Sequence, residues 1–168
     1  MAKPWFEDVL DRVRRQNPWY AAPAESARPD RSGRKPDGVN LCGYLRDESG
    51  WGSAGRGYLR ALRTLDRPVS LLDVSNLSSN RSEDPTVVGS DADHPYDVNL
   101  VCVDAGQHFA FLSRVGAGFF DGRFNVGAWA WELPRFPEGW YDRFAYYDEI
   151  WVGTSFIANA LAPVSPVP

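Results

Sequence analysis

Five short apolar runs punctuate the chain, at 38–45, 68–74, 97–104, 124–132 and 149–154, and stretches of helical periodicity follow most of them. The run from Gly38 to Leu45 is apolar almost throughout, the pattern of a strand buried on both faces rather than one. Ala54, Tyr58, Leu59, Leu62 and Leu65 then mark a helix, and further helices are expected over 107–115, 137–147 and 155–162. Strands separated by helices pair in parallel through right-handed crossovers. The expected architecture is therefore α/β, a Rossmann-like doubly wound and mostly parallel sheet. Ligands of such sheets lie beyond the carboxyl ends of the strands, near the switch in strand order. That rule directs attention to the loops after Leu45, Val74, Val103, Trp131 and Val152.

Two regions stand apart from this alternation. Residues 4–16 carry Trp5, Phe6, Val9, Leu10 and Val13 at helical spacing with Asp8, Arg12 and Arg15 opposite, which predicts an amphipathic helix docked on the domain. Residues 18–37 are rich in Pro, Ala, Ser and Arg without a period and read as a linker. The division is thus 1–37, helix and linker, and 38–168, a single sheet domain. Ser75 to Pro95 is polar and reads as a long loop. The closing Pro163 to Pro168 resembles the approach to a further strand or an interdomain connection, so the domain is expected to be cut before a second one.

A chain of 168 residues holds one sizeable core but not two. Hydrophobic and charged fractions of 43% and 24% are those of an ordinary globular protein, and a net charge of −4 offers no broad basic surface for nucleic acid. Cys42 and Cys102 sit inside apolar runs and are expected to be reduced core residues. The N-terminus lacks the apolar segment of a signal peptide, and no run approaches the roughly 20 residues of a membrane span. A cytoplasmic protein is expected, and nothing in the residues points to a membrane surface.

Three segments carry candidate chemistry. Between the first strand and its helix, Arg46 to Gly57 is glycine-rich, and glycines there let a backbone approach a ligand while the helix start favours an anion such as a phosphate. Arg46, Gly50, Trp51, Gly52 and Ser53 are its candidates. Gly50, Gly52 and Gly55 also satisfy the dinucleotide fingerprint G-x-G-x-x-G, with Asp73 placed for a ribose. Four polar residues precede Gly50, however, and Trp51 is bulky where a pyrophosphate needs close approach. After the third strand, Asp104 either caps the next helix or contacts a ligand, with Gln107 beside it. At the end of the fourth, Glu132 could bind sugar hydroxyls, act as a base, or serve a cap or ion pair. Trp129 and Trp131 line one face of that strand and Ala128 and Ala130 the other, which suits a closely packed helix. Trp129 reads as core. His94 and His108 are scattered, so no metal site is expected.

Taken in order, Gly38 to Arg56, Val98 to Gln107, Gly122 to Trp140 and Asp148 to Leu161 resemble the bacterial glycosyltransferases of family four, the kind found in cell-wall biosynthesis. The resemblance covers about residue 38 to the end. It implies the N-terminal, acceptor-side half of a GT-B enzyme, in which two Rossmann-like domains enclose the active site. The nucleotide-sugar would be a donor substrate held by a C-terminal domain, with no cofactor or metal, and the acceptor a glycan, lipid-linked sugar or other hydroxyl compound. Gly50 to Ser53 would match the glycine-rich loop facing donor phosphates and acceptor. Glu132, with Trp131, falls near a polar cleft position that is often His in the family, and is the candidate catalytic residue. The family's pair of Glu residues seven apart, which grips the donor, is absent here. The resemblance thus implies a retaining transferase when both halves are joined and an inactive fragment alone. Two other classes compete: a stand-alone nucleotide- or dinucleotide-binding α/β module, and a non-catalytic carbohydrate-binding subunit.

Overall fold

The computed structural model of the protein describes residues 35–87 and 89–168. The helix and linker expected over 1–37 lie outside the described residues, save for 35–37. The described chain is an α/β unit built on five parallel strands: β1 (Val39–Gly43), β2 (Val69–Asp73), β3 (Val98–Cys102), β4 (Phe124–Trp129) and β5 (Glu149–Val152). Their order across the sheet is β2-β1-β3-β4-β5, one of the two common doubly wound orders. Helix α1 (Gly50–Leu62) joins β1 to β2, α2 (His108–Val115) follows β3, and α3 (Ser155–Leu161) follows β5.

Two cores sandwich the sheet. One holds Leu41, Leu100, Val126 and Ala128 from the strands and Leu59 from α1. The other, larger and aromatic, holds Val101 and Trp129 from the strands, Phe111 from α2, and Phe120, Phe144, Tyr146 and Tyr147 from the connections. Strand alternation decides the fate of the thiols. Cys42 stands opposite Val101 and Cys102 opposite Gly43, so the two sulfurs point to opposite faces. Both are free and buried, and burial raises the pKa of Cys42 well above its ordinary value and that of Cys102 to about 12.

A row of side-chain amides crosses the second core at one register level. Asn40, Asn99 and Asn125 are Cα partners on β1, β3 and β4. Asn40 Nδ2 donates to Asn99 Oδ1 at 2.8 Å, and Asn99 Nδ2 donates to Asn125 Oδ1 at 2.8 Å. Asn125 ends the row on the carbonyls of Phe120 and Arg123, and Ser70 of β2 extends it by donating to Asn40 Oδ1. All three amides are fully buried and bonded, as buried polar groups must be. A one-residue slip of any strand would turn its amide into the other core.

Two expectations need correction. The segment 137–147 is not α-helical but a 3-10 helix over Glu138–Tyr146. A period of three aligns Tyr141 and Phe144 with Tyr147 on one side and Arg143 with Tyr146 on the next, which lets a short piece pack its rings beneath Trp129 and Phe136. Strand β4 ends at Trp129, so Trp131 and Glu132 lie past the strand, on the loop that leaves the sheet. Ala128 is buried in the core that Leu59 of α1 completes, and Gly127 on the opposite face is tightly packed as well: an added Cβ would meet Trp129 Nε1 at 2.9 Å and Ile150 at 3.0 Å. The long loop 75–95 is largely irregular, as expected, but part of it serves the sheet. Asp91 accepts from and Ser90 bonds the open edge of β2, which masks an edge otherwise free to pair.

Candidate functional site

Strand order switches at β1: the chain leaves it toward β2 and returns to β3 on its other side. The loops after β1 and β3 therefore part, and a cleft of about 310 Å³ opens between them at the carboxyl edge. Tyr44, Asp47 and Ser49 supply one side, Asp104 and Gln107 another, and Ser78 to Asn80 the third, with Trp51 as an aromatic wall.

The loop after β1 is held rigidly. Arg46 N–H donates to Asp73 Oδ1 at 3.2 Å and to Ser75 Oγ at 3.1 Å, so Asp73 is committed to this turn. Arg56 reaches back from α1 to the carbonyls of Leu45 and Asp47 at 3.1 and 2.8 Å and pairs with Asp84. Ser49 caps α1 by accepting from Gly52 N–H, and the helix begins at Gly50. The glycine-rich stretch expected to be a loop is thus mostly the opening of α1. Its glycines serve packing: a Cβ on Gly52 would lie 1.9 Å from the Asp47 carbonyl, and one on Gly55 3.0 Å from Leu45. Gly50, by contrast, has open space around it.

Two residues that line this cleft each bury a polar atom without a partner among the described residues. Asp47 is 1% exposed; its Oδ2 accepts from Asn80 Nδ2 at 3.3 Å while Oδ1 is unbonded. Tyr44 is also buried, its ring edge-on to Trp51, and its hydroxyl is unbonded. Burial raises the Tyr44 pKa, and the charges of Asp104 and Asp47 add to that rise. Leaving such atoms bare costs about 1–3 kcal/mol each, so they fit a ligand that brings hydrogen bonds. Asp104 caps the turn after β3, accepting from Gly106 and Gln107 N–H at 2.6 and 3.2 Å, and still borders the cleft. The lining carries two carboxylates and no lysine or arginine.

On the other side of Trp51 runs a second, largely apolar groove of about 390 Å³ between α1 and the ends of β4 and β5. Gly50 and Trp51 from the start of α1, and Glu132 and Gly153 from beyond β4 and β5, are among its lining residues. Trp51 is therefore shared by both hollows, and Glu132 is exposed and turned toward the same groove as Gly50. Ser53 is exposed on α1, and Arg46 lines neither hollow. Trp131 lines neither as well: its Nε1 donates to the Arg135 carbonyl at 2.9 Å and its ring meets Trp140 and Phe136 edge-on. Leu133 and Phe156 stand exposed near the same edge, at 56% and 51%.

Tyr44, Asp47 and Asn80 were not singled out from the sequence. The signal available for Asp47 was its place four residues past β1; its burial follows from Arg56, which bonds the neighbouring carbonyls and folds the turn inward. His108 is core, 1% exposed, with Nδ1 3.2 Å from the Tyr147 hydroxyl; burial, aided by the charge of Arg143, lowers its pKa to about 3. Among the described residues no cluster of His, Cys, Asp and Glu could hold a metal, and no helix is long and apolar enough to cross a membrane. The chain matches no family model, no curated protein and no solved structure.

Proposed function

We propose that this chain is the acceptor-side half of a GT-B glycosyltransferase, which moves a sugar from a nucleotide-sugar to a glycan, lipid-linked or other hydroxyl acceptor in a cleft completed by a donor-binding domain. The observation that carries the reading is the pair of buried, unbonded polar atoms, Tyr44 Oη and Asp47 Oδ1, on residues that line the switch-point cleft beside Trp51. A carboxylate, a phenol, amides and an indole face together suit a sugar: hydroxyls satisfy the polar atoms, and the apolar face of the ring lies on the indole. A lining with two carboxylates and no cation disfavours a phosphate at the same spot. In this reading the switch-point cleft takes acceptor hydroxyls, and the donor phosphates lie beyond Gly50, toward the second domain.

Glu132 has the role of polar rim residue across the apolar groove, placed to accept from a sugar hydroxyl or to take its proton. Exposed Leu133 and Phe156 near the same edge give a second domain apolar surface to close upon. Transfer needs both substrates positioned and their charge stabilised in one closed cleft, so this half alone is inactive. The dinucleotide alternative is weakened by particular contacts: Asp73 is bonded within the turn, and Gly52 packs on its own loop rather than toward a ligand. In this reading the protein works in the cytoplasm.

The test is a paired assay on the full chain. Incubation with UDP-glucose or GDP-mannose and simple glycosides should give no transfer, and titration with NADH or NADPH should give no micromolar binding. Robust turnover would show that no second domain is needed; tight dinucleotide binding would replace the transferase reading with the reductase-like one.

A further inference from the structure

The switch-point cleft carries two carboxylates and, among the described residues that line it, no cation. Asp47 comes from the loop after β1 and Asp104 from the loop after β3. Arginines of the surrounding elements are committed elsewhere. Arg56 bonds the Leu45 and Asp47 carbonyls and pairs with Asp84, and Arg81 pairs with Glu48 and Glu83. Arg143, which feels the charge of Asp104, is held over the rings of Trp140 and Phe109 at 4.4 and 5.0 Å.

Both carboxylates keep bonding capacity. Asp104 takes the two N–H groups of Gly106 and Gln107 on Oδ1, and Asp47 takes the Asn80 amide on Oδ2 and nothing on Oδ1. The Tyr44 hydroxyl, on a side chain 4% exposed, is a third unbonded oxygen. It lies within electrostatic reach of both acids: beyond the effect of burial, the charge of Asp104 and then that of Asp47 raises its pKa. A protonated amine brings three hydrogens and no acceptor, the complement of such a set of oxygens. The indole of Trp51 adds an aromatic face that attracts positive charge. A divalent metal fits less well, since it asks for a fuller cage of oxygens and no acid or His cluster among the described residues offers one. The volume of about 310 Å³ is near the lower end for small-molecule sites and suits a single ring. We propose that the cleft selects a sugar acceptor bearing a protonated amine, with the ammonium group held by Asp47, Asp104 and the Tyr44 oxygen and the ring lying on Trp51. The inference rests on the sugar-binding reading of this cleft and narrows its ligand class.

Calorimetric titration of the full chain tests it. The probes are methyl glucoside and the methyl aminodeoxyglucosides with their amine on the second, third or sixth carbon, each amine also in N-acetylated form. At least one amine should bind about tenfold more tightly than methyl glucoside, because charge-assisted hydrogen bonds are the stronger kind. N-acetylation should remove the gain, and raising salt from about 0.01 M to about 1 M should weaken it. Asp104→Asn, which keeps an oxygen to cap Gly106 and Gln107, and Asp47→Asn should each remove most of the preference. Equal affinities for methyl glucoside and every amine overturn the inference and leave the sugar-binding cleft standing. A preference that survives both Asn variants puts the amine elsewhere on the acidic surface and also overturns it. Saturable binding of calcium chloride without any amine preference would make the cleft a metal site, with the same consequence. Binding of neither glucoside nor amine overturns both readings together.

Discussion

Asn40 donates to Asn99 across β1 and β3 at 2.8 Å, and this bond sits one strand length below the cleft whose two sides those strands deliver. The same register that aligns Asn40 with Asn99 aligns Gly43 with Cys102, the last residues before the loops that carry Asp47 and Asp104. The amide row thus links strand pairing to the geometry of the candidate site. Replacing Asn99 by Leu leaves Asn125 Oδ1 without its donor and takes one of the two acceptors from Asn40 Nδ2, which keeps the Tyr96 carbonyl, and should cost about 2–4 kcal/mol. Urea denaturation checks this; a loss below about 0.5 kcal/mol would mean the amides do not pin the register.

The glycines at the start of α1 divide into two kinds. Gly52→Ala forces a Cβ onto the Asp47 carbonyl, a backbone atom that cannot swing aside, and should lower stability by about 2–3 kcal/mol. Gly50→Ala meets nothing and should be neutral or stabilising by up to about 1 kcal/mol, since alanine favours a helix. Comparison of the two urea midpoints checks the pair. Equal effects would contradict the packing role assigned to Gly52.

His108 makes stability depend on pH in a defined direction. Its folded-state pKa lies near 3 while the unfolded chain titrates near 6.5, so below pH 6.5 the unfolded state takes up a proton that the folded state refuses. Its contribution is therefore intact above about pH 6.5 and declines as pH falls toward 3, by at most about 1.4 kcal/mol per pH unit. Urea melts of the wild type and His108→Phe at pH 7.5 and pH 5 should show a steeper loss in the wild type. Parallel slopes would place His108 in contact with water.

The two thiols should be silent in the native state. Cys42 and Cys102 are buried with raised pKa values and face opposite cores, so neither ionises nor reaches the other. Reaction with Ellman's reagent at pH 8 should be slower than in urea by about a hundredfold or more, and oxidation should form no bond within the chain. Fast native labelling would show that the sheet opens locally.

Much of the fold was legible because apolar runs such as Val39 to Leu45 and Val98 to Val103 admit little besides buried parallel strands. The amide row was written there too, in the repeated apolar-Asn-apolar openings Val39-Asn40-Leu41, Val98-Asn99-Leu100 and Phe124-Asn125-Val126. Reading it requires the register, which no single strand specifies. The site was legible in outline: Trp51, Asp104 and Gln107 follow from strand ends. Asp47 and Asn80 were not, because they meet across 33 residues through a turn that Arg56 folds inward. Glycines misled in a physical way. Gly50, Gly52 and Gly55 signal a loop by propensity, yet Ser49 caps a helix there, and the missing side chains of Gly52 and Gly55 make room for its close approach to the turn.

The account rests on Asp47 and Tyr44 meeting sugar hydroxyls in the switch-point cleft. The direct measurement is the ¹H–¹⁵N signal of the Trp51 indole during titration of the full chain with methyl glucoside, methyl mannoside and methyl galactoside, in the wild type and in Asp47→Asn. At least one glycoside should shift that signal saturably, more weakly in Asp47→Asn, while inorganic phosphate leaves it in place. A signal unmoved by every glycoside, or moved by phosphate alone, would contradict the sugar-binding cleft.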